Sequence, residues 1–231
     1  MSLFSTRSIT CEKCGNVYTM DEVGSINADR RPDLRQAILD DNFQDAVCPE
    51  CGHSFRLEPL FTYLDVGRGQ WLACYPARQM ETYHNEEVAA QEMFDKSYGV
   101  DAPKAAQAIG GMLTPRITFG WPAAREKLLL HELGLDDVIV EMTKLDLMRR
   151  LEEAPLAPGI ELRLVGNDND RLHFEWVRSE SEEVLSGLSV GKELYDVIEQ
   201  DPEGWKEVRE MLVDGMFVDM QKAYMSDGMP A

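Results

Sequence analysis

The sequence predicts an α+β fold, in which a small antiparallel β domain built on four cysteines and an inserted helix precedes a mixed helical and β-hairpin domain. Two CxxCG motifs, at residues 11–15 and 48–52, flank strand and helix patterns. Apolar residues then recur at helical spacing up to about residue 151. Period-two alternation follows in residues 160–165 and 172–177.

Size and composition are those of a water-soluble protein of one or two domains. The chain has 231 residues, of which 44% are hydrophobic and 28% charged, and it is long enough to bury a core. No apolar run is long enough to span a bilayer. Residues 1–11 lack an apolar core of signal-peptide length, so we expect a cytoplasmic protein. We expect three units, at residues 1–80, 81–115 and 116–231.

The charge is strongly acidic and unevenly distributed. The formal net charge is −19. Residues 1–80 carry 8 Lys and Arg against 11 Asp and Glu, a net of −3, and the remainder carries 15 against 31, a net of −16. An acidic surface repels a phosphate backbone, which disfavours nucleic acid as a partner and allows a basic protein. Solubility alone also explains such a charge.

The pattern of residues 1–80 predicts short strands and one helix around the two motifs. Pro32 lies where the helix begins, and Leu34 and Ile38 form its apolar face. Phe43 is expected to pack beneath it. Strands are predicted at residues 9–10, 17–20, 23–27, 54–57, 60–66 and 70–75. We expect these strands to form an antiparallel sheet with the cysteines at one end.

The four cysteines of the two motifs have the residue type and spacing of a metal site. Cys11 and Cys14, like Cys48 and Cys51, are separated by two residues, so a tight turn directs both sulfurs at one ion. A glycine follows each motif and permits the left-handed backbone of such a turn. Four thiolates close a tetrahedral site with no position left for water, which predicts structural Zn²⁺.

Two other interpretations of these cysteines are open at this point. Iron binds the same four-thiolate pattern, and two disulfides would require an oxidising compartment. We interpret His53, which follows the second motif, as an exposed neighbour of the site. The fifth cysteine, Cys74, lies in a hydrophobic stretch and is predicted to be a small buried side chain.

These residues carry a resemblance to a known family. The matching features are CxxCG at 11–15, Ser-Ile-Asn at 25–27, the helix that begins at Pro32, CPxCG at 48–52 and Tyr-Leu-Asp at 63–65. Together they resemble the bacterial CpXC domain family over about residues 8–80, and residues 116–150 resemble the following segment of that family more loosely. The resemblance implies zinc binding by Cys11, Cys14, Cys48 and Cys51, and it implies no enzymatic activity. Residues 1–80 are thus predicted to form a zinc-ribbon-like antiparallel β domain with an inserted helix.

Helices dominate the prediction for the first half of the acidic region. One helix is predicted at residues 81–98, a second from Pro122 to residue 133, and a third from its N-cap Asp136 to about residue 151. Residues 99–115 contain several Gly and Pro and are interpreted as a connector. An isolated strand is predicted at residues 116–119.

A β-hairpin and short helices are predicted for the second half. Its strands are residues 160–165 and 172–177, joined by a turn at 166–170. A short helix follows around residues 194–198, and another begins at Asp201-Pro202. The pattern of residues 216–225 fits a strand and a helix equally.

No nucleophile–base or nucleotide-binding motif occurs, so we predict that the protein is not an enzyme. The first hypothesis is a zinc-stabilised module for protein–protein interaction or regulation, with its partner and oligomeric state unspecified. The second is a redox-responsive zinc switch, in which oxidation of the thiolates releases the metal. The third is a nucleic-acid-binding zinc ribbon with stacking aromatics Tyr18, Phe55 and Tyr63. Its basic candidates are Lys13, Arg30, Arg31, Arg35 and Arg56.

Overall fold

Two larger β-sheets, a two-stranded sheet and their covering helices make up the computed structural model, which describes residues 2–151, 153–155, 157–168 and 170–225. The strands are β1 (Leu3–Thr10), β2 (Val17–Asn27), β3 (Asp45–Val47), β4 (Ser54–Arg56), β5 (Phe61–Asp65), β6 (Gln70–Tyr75), β7 (Thr114–Phe119), β8 (Ile160–Asp168), β9 (Arg171–Arg178) and β10 (Val184–Gly191). The helices are α1 (Pro32–Leu39), α2 (Tyr83–Ser97), α3 (Lys104–Gly110), α4 (Gly120–Glu132), α5 (Asp137–Arg150), α6 (Glu193–Gln200), α7 (Lys206–Leu212) and α8 (Lys222–Met225), with a 3₁₀ helix at Ala77–Thr82. The predicted α+β class is confirmed.

The largest sheet has the strand order β1-β2-β5-β6-β7 and is mixed. The predicted purely antiparallel sheet is wrong, because β2 pairs with β5 and β6 with β7 in parallel. The chain between β2 and β5 contains α1 and the β3–β4 hairpin, and the chain between β6 and β7 contains α2 and α3. Crossovers of this length return the chain to the same end of a sheet, which permits parallel pairing. The crossover through α2 and α3 brings β7 beside β6 at the edge of this sheet, so the prediction of an isolated strand is wrong.

The second larger sheet contains the predicted hairpin. β8 and β9 pair antiparallel, and β10 adds a third strand that was not predicted. Of the inward side chains predicted from the alternation, Ile160 is partly buried and the others are buried: Leu162, Leu164, Leu172, Phe174 and Trp176. Of the predicted turn, Asn169 lies outside the described residues. β10 escaped prediction because Gly187 and its serines weaken the alternation on which a strand prediction depends.

The helices agree with the sequence where local signals are strong. α1 begins at Pro32 and buries Leu34 and Ile38 beside Phe43, as predicted. The Asp136 side chain caps α5 and accepts hydrogen bonds from the N–H groups of Val138 (2.9 Å) and Ile139 (3.1 Å). The predicted connector contains α3, which has no buried residue.

The segment before α8 follows the edge of the main sheet. The N–H of Ile117 in β7 donates to the carbonyl of Met216 at 3.1 Å, and α8 contains only 4 residues. Most of residues 216–225 therefore form neither the strand nor the helix that their pattern allowed. No helix in the described residues is long and apolar enough to cross a membrane. The unit boundaries at residues 80 and 116 stay predictions, and strands from both sides of that interval share the main sheet.

A cluster of buried charges joins the two larger sheets. Lys144 in α5 and Glu126 in α4 are 0% and 1% exposed, and their side chains lie 2.7 Å apart from Nζ to Oε1. Lys144 Nζ also lies 3.0 Å from Glu141 Oε1. Arg163 of β8 contacts Glu126 Oε2 at 3.0 Å. The remaining members of this ionic cluster, as we call it, are Arg116, Lys127, Asp137, Glu161 and Asp219.

The members of the ionic cluster come close to electrical balance. Five carboxyls face four cations, so one proton on a carboxyl makes the cluster neutral. Burial raises the pKa of Glu141 to about 7, so Glu141 is partly protonated at neutral pH. Burial also opposes ionisation of Asp137, but Lys127 and Arg116 outweigh it and hold the pKa of Asp137 below its usual range.

Replacing Lys144 by methionine is expected to lower the free energy of unfolding by about 3–5 kcal/mol, because Glu126 and Glu141 would then be buried without their shared cation. Urea denaturation at neutral pH measures this loss. Lys96→Met is the control, since Lys96 lies on the surface 3.8 Å from Glu92, and it should cost less than about 1 kcal/mol. Equal costs for the two variants would contradict the structural role of the cluster.

Glu141→Gln is expected to flatten the dependence of stability on pH. Between its usual pKa of 4.5 and the raised value of about 7, Glu141 is ionised only in the unfolded chain. The free energy of unfolding of the wild type should therefore fall relative to the variant as pH rises through this range, by up to about 1.4 kcal/mol per pH unit. Urea titrations at several pH values measure the difference, with exposed Glu92→Gln as control. A difference that does not change with pH would refute the raised pKa.

Candidate metal centre

The first CxxCG motif forms the turn between β1 and β2. Cys11 directly follows β1, and its N–H donates to the carbonyl of Asn16 at 2.9 Å. The N–H of Gly15 donates back to the carbonyl of Cys11 at 2.8 Å, and Gly15 has a left-handed φ of 73°. The strand pair then begins with Thr10 opposite Val17. The turn thus brings the sulfurs of Cys11 and Cys14 to one side.

The second motif repeats this turn between β3 and β4. The N–H of Cys48 donates to the carbonyl of His53 at 2.8 Å, and that of Gly52 donates to the carbonyl of Cys48 at 2.9 Å. Gly52 has a φ of 68°, and Val47 lies opposite Ser54. The same six-residue loop with the same hydrogen bonds therefore occurs twice, and each copy supplies two sulfurs.

The four sulfurs meet in one cluster. All lie within 4.8 Å of one another, and the Cys11–Cys51 and Cys14–Cys48 sulfur pairs are each 3.7 Å apart. Sulfurs placed about 2.3 Å from one ion at tetrahedral angles are separated by about 3.8 Å, so this donor set fits a four-thiolate ion. All five cysteines are free thiols, and 3.7 Å far exceeds the about 2.05 Å of a disulfide.

Backbone amides favour a thiolate at one of the four positions. The N–H groups of Cys51 and Glu50 outweigh burial and lower the pKa of Cys48 to about 6. At Cys14 the N–H of Asn16 acts in the same direction, but burial and the neighbouring thiols outweigh it and raise the pKa to about 12. Cys11 and Cys48 are buried, and Cys14 is exposed. One side of the cluster is therefore open to solvent.

The other candidate donors lie outside the cluster. In the described part of the chain, the group of His, Cys, Asp and Glu side chains close enough to share an ion consists of the four cysteines. His53 is half-buried, not exposed as predicted, and stacks on Phe55 with ring centroids 6.3 Å apart. Cys74 is 1% exposed in β6, and burial raises its pKa to about 12. The prediction of a buried Cys74 is confirmed.

Arg56 anchors the second motif to the rest of the protein, and sequence reasoning missed this role. Its guanidinium donates to the carbonyl of Phe43 at 2.8 Å and lies 4.5 Å from the ring centroid of Trp121. It also contacts Asp41 at 2.7 Å and Glu182 at 2.8 Å. Its residue type in β4 indicated only a surface cation.

The residues proposed for a nucleic-acid patch are dispersed. Arg35 is 5% exposed and pairs with Glu132 at 2.5 Å, and Arg56 is engaged as described above. Tyr63 is 0% exposed and cannot stack on a base. Arg31 is exposed, but its charge is shared with Asp33 at 2.6 Å. Of the basic candidates, only Lys13 and Arg30 are exposed without a described ion pair.

Comparison with known proteins gives one match. The model of the CpXC protein family matches residues 9–144. This range includes both CxxCG motifs, all of α4 and the first half of α5. No curated protein and no solved structure matches the chain.

Gly52→Ala is expected to lower the free energy of unfolding by about 1–2 kcal/mol, because a side chain disfavours the left-handed backbone. A Cβ there would meet no atom within 4 Å, so steric contact adds nothing. Urea denaturation measures the cost. Gly166→Ala is the control, since a Cβ at Gly166 also meets no atom within 4 Å and its backbone is not left-handed. A Gly52→Ala variant as stable as the control would contradict the turn geometry.

Proposed function

Because the chain belongs to the CpXC protein family, we propose that its four cysteines hold one structural Zn²⁺ ion and that it acts without catalysis, by binding another protein. The convergence of four sulfurs within 4.8 Å of one another, with two pairs at 3.7 Å, is the observation that carries this proposal. Zinc would be held by Cys11, Cys14, Cys48 and Cys51, and it would supply a cross-link between the two hairpins.

A structural role for the ion is supported by the size of the second hairpin. β3 and β4 have only 3 residues each, and isolated hairpins of this length are marginally stable in water. Structural zinc supplies on the order of 10–16 kcal/mol in zinc-finger peptides. Four thiolates also fill the coordination sphere, so no position is left for a reacting water.

A non-catalytic role is supported by the state of the reactive side chains. Cys74 is buried with a raised pKa, which disfavours the thiolate that a nucleophile requires. The titratable residues Glu126, Glu141 and Lys144 have no access to solvent, and each is engaged in an ion pair. Free cysteines are typical of a reducing compartment, which supports a cytoplasmic location.

A protein partner is supported by apolar side chains exposed next to the metal centre. Val17 and Val47, which adjoin the two motifs, are 62% and 60% exposed. Exposed apolar groups close together are typical of protein interaction sites. The net charge of −19 favours a basic partner.

Metal analysis of protein purified from its native host tests the zinc site. We expect one zinc per chain in the wild type and in Cys74→Ala, and none in a Cys11→Ser/Cys48→Ser double variant. The double variant should also unfold at a lower temperature and lose its partner in affinity capture, because the hairpins are no longer joined. Iron in place of zinc, or zinc retained by the double variant, would refute the metal assignment. A partner retained by the double variant would refute the role of the four-cysteine site in partner binding.

A further inference from the structure

We propose that the groove between β2 and β3 receives an extended basic segment of a partner protein as an additional β-strand. This inference rests on the proposed interaction function and identifies its surface. The groove has a volume of about 600 Å³ and lies beside the second cysteine motif. Its lining residues come from β2, from β3 and from the turn that follows: Tyr18, Thr19, Met20, Asp45, Ala46, Val47 and Pro49.

One wall of the groove is an open strand edge. On the side away from β1, the described residues of β2 pair with another strand only at Ser25–Asn27. In an antiparallel pair, residues that face each other alternate between hydrogen-bonded and non-hydrogen-bonded pairs. Because Cys11 is hydrogen-bonded to Asn16, Ile9 and Tyr18 form the next hydrogen-bonded pair. Ser8 and Thr19, which lie opposite each other, therefore direct their backbone N–H and C=O groups away from each other. Thr19 therefore presents its N–H and C=O to the groove.

The opposite wall is a second open strand edge. The carbonyl of Gln44 accepts from the N–H of Leu57 at 3.1 Å, and the N–H of Cys48 donates to the carbonyl of His53. By the same alternation Ala46 faces β4, while Asp45 and Val47 direct their N–H and C=O groups away from β4. A strand between the two walls would pair on both of its sides.

At one end of the groove, a side chain already occupies the place of such a strand. The Gln44 carboxamide accepts from the N–H of Val23 at 2.9 Å and donates to the carbonyl of Asp21 at 3.1 Å. These are the two bonds that a neighbouring peptide group would make with β2. Gln44 keeps a left-handed φ of 63°, which non-glycine residues adopt rarely. The fold thus provides hydrogen-bond partners for the outward backbone groups of β2 at Asp21 and Val23, and it leaves those of Thr19 open to the groove.

The charge around the groove selects a basic segment. Its lining contains one acid, Asp45, with a side chain 54% exposed, and no base. Arg56 lies 3.6 Å from Asp45, and its charge is shared with Asp41 and Glu182. A divalent ion held by the four thiolates, as proposed above, would add a net charge of about −2 beyond Pro49. A second copy of the chain, at −19, is repelled by the same field.

Apolar contacts at the two walls define the rest of the segment. Val17 and Val47 are exposed near the open edges. Because successive side chains of a strand point to opposite faces, exposed Asp45 and Val47 share one face of β3 and buried Ala46 lies on the other. A segment that alternates apolar and basic residues can place its cations on the exposed face beside Asp45, with their alkyl stems over Val47, and its apolar residues on the face of Ala46. Proline is excluded from such a segment, since both of its sides need N–H groups.

The test uses fluorescein-labelled peptides of about seven alternating lysines and valines, with purified metal-loaded protein and binding followed by fluorescence anisotropy. Successive N–H groups of a strand point to alternate sides. Two further peptides are therefore N-methylated, one at the set of N–H groups on one side and one at the set on the other. A strand held between two edges uses both sets, so each N-methylated peptide should bind at least about tenfold more weakly. A peptide docked on a single outer edge would lose affinity for one set only, and that result would overturn the proposal.

Protein variants locate the site independently. Thr19→Pro removes the N–H that faces the groove, and Ser8→Pro removes its cross-strand counterpart on the outer edge of β1. We expect loss of peptide binding in the first variant and not in the second. Hydrogen exchange followed by NMR should show slower exchange at the amides of Thr19, Asp45 and Val47 when peptide binds. The reverse pattern of the two variants, or protection along β1 alone, would place the strand elsewhere and overturn the proposal.

Three controls separate this inference from the proposed function. Glutamate–valine peptides that bind as well as the lysine–valine peptides would overturn the charge argument. Self-association that Thr19→Pro abolishes would make a second copy the occupant and also overturn the proposal. Metal content and partner capture are measured on the same variants. If Thr19→Pro contains one zinc per chain and still captures the partner, the role of the groove is overturned and the proposed function stands. If the wild type contains no zinc, the proposed function is refuted.

Discussion

The desolvated charge of Lys144 constrains the whole assembly of this fold. A buried ammonium group costs several kcal/mol unless carboxylates surround it, and here they come from two helices. Glu126 in turn accepts from the backbone N–H of Leu164 in β8, and Glu141 from that of Met220. No one of these elements can bury its charges alone. The two larger sheets therefore depend on each other, although each has its own apolar core.

Local signals in the sequence predicted most of the elements and the convergence of the four cysteine sulfurs. Pro32 and Asp136 mark helix starts through interactions within a few residues, and the spacing of the four cysteines suffices to bring their sulfurs together. Strand order depends instead on where long crossovers return the chain. The pairing of β7 with β6 has no signature in either strand, and so the mixed sheet was not predicted.

The ionic cluster was missed for a different physical reason. Asp137, Glu141 and Lys144 recur at helical spacing on α5, beside the apolar stripe of Val138 and Met142. A charged stripe of this kind usually faces water. The sequence of α5 alone does not show that its stripe instead faces charged side chains of other elements. The counter-charges lie in β7, α4 and β8 and become neighbours only after folding.

The unbroken course of β2 has a mechanical consequence. The strand has 11 residues and spans about 33 Å, from the first cysteine turn to its pairing with β5. Its first half pairs with β1 and is bonded at Asp21 by the Gln44 side chain, and its second half is fixed in the main sheet. One continuous strand therefore connects the cysteine cluster to the main sheet. Because no loop interrupts β2, a displacement of the cysteine turn is carried along the strand to its pairing with β5.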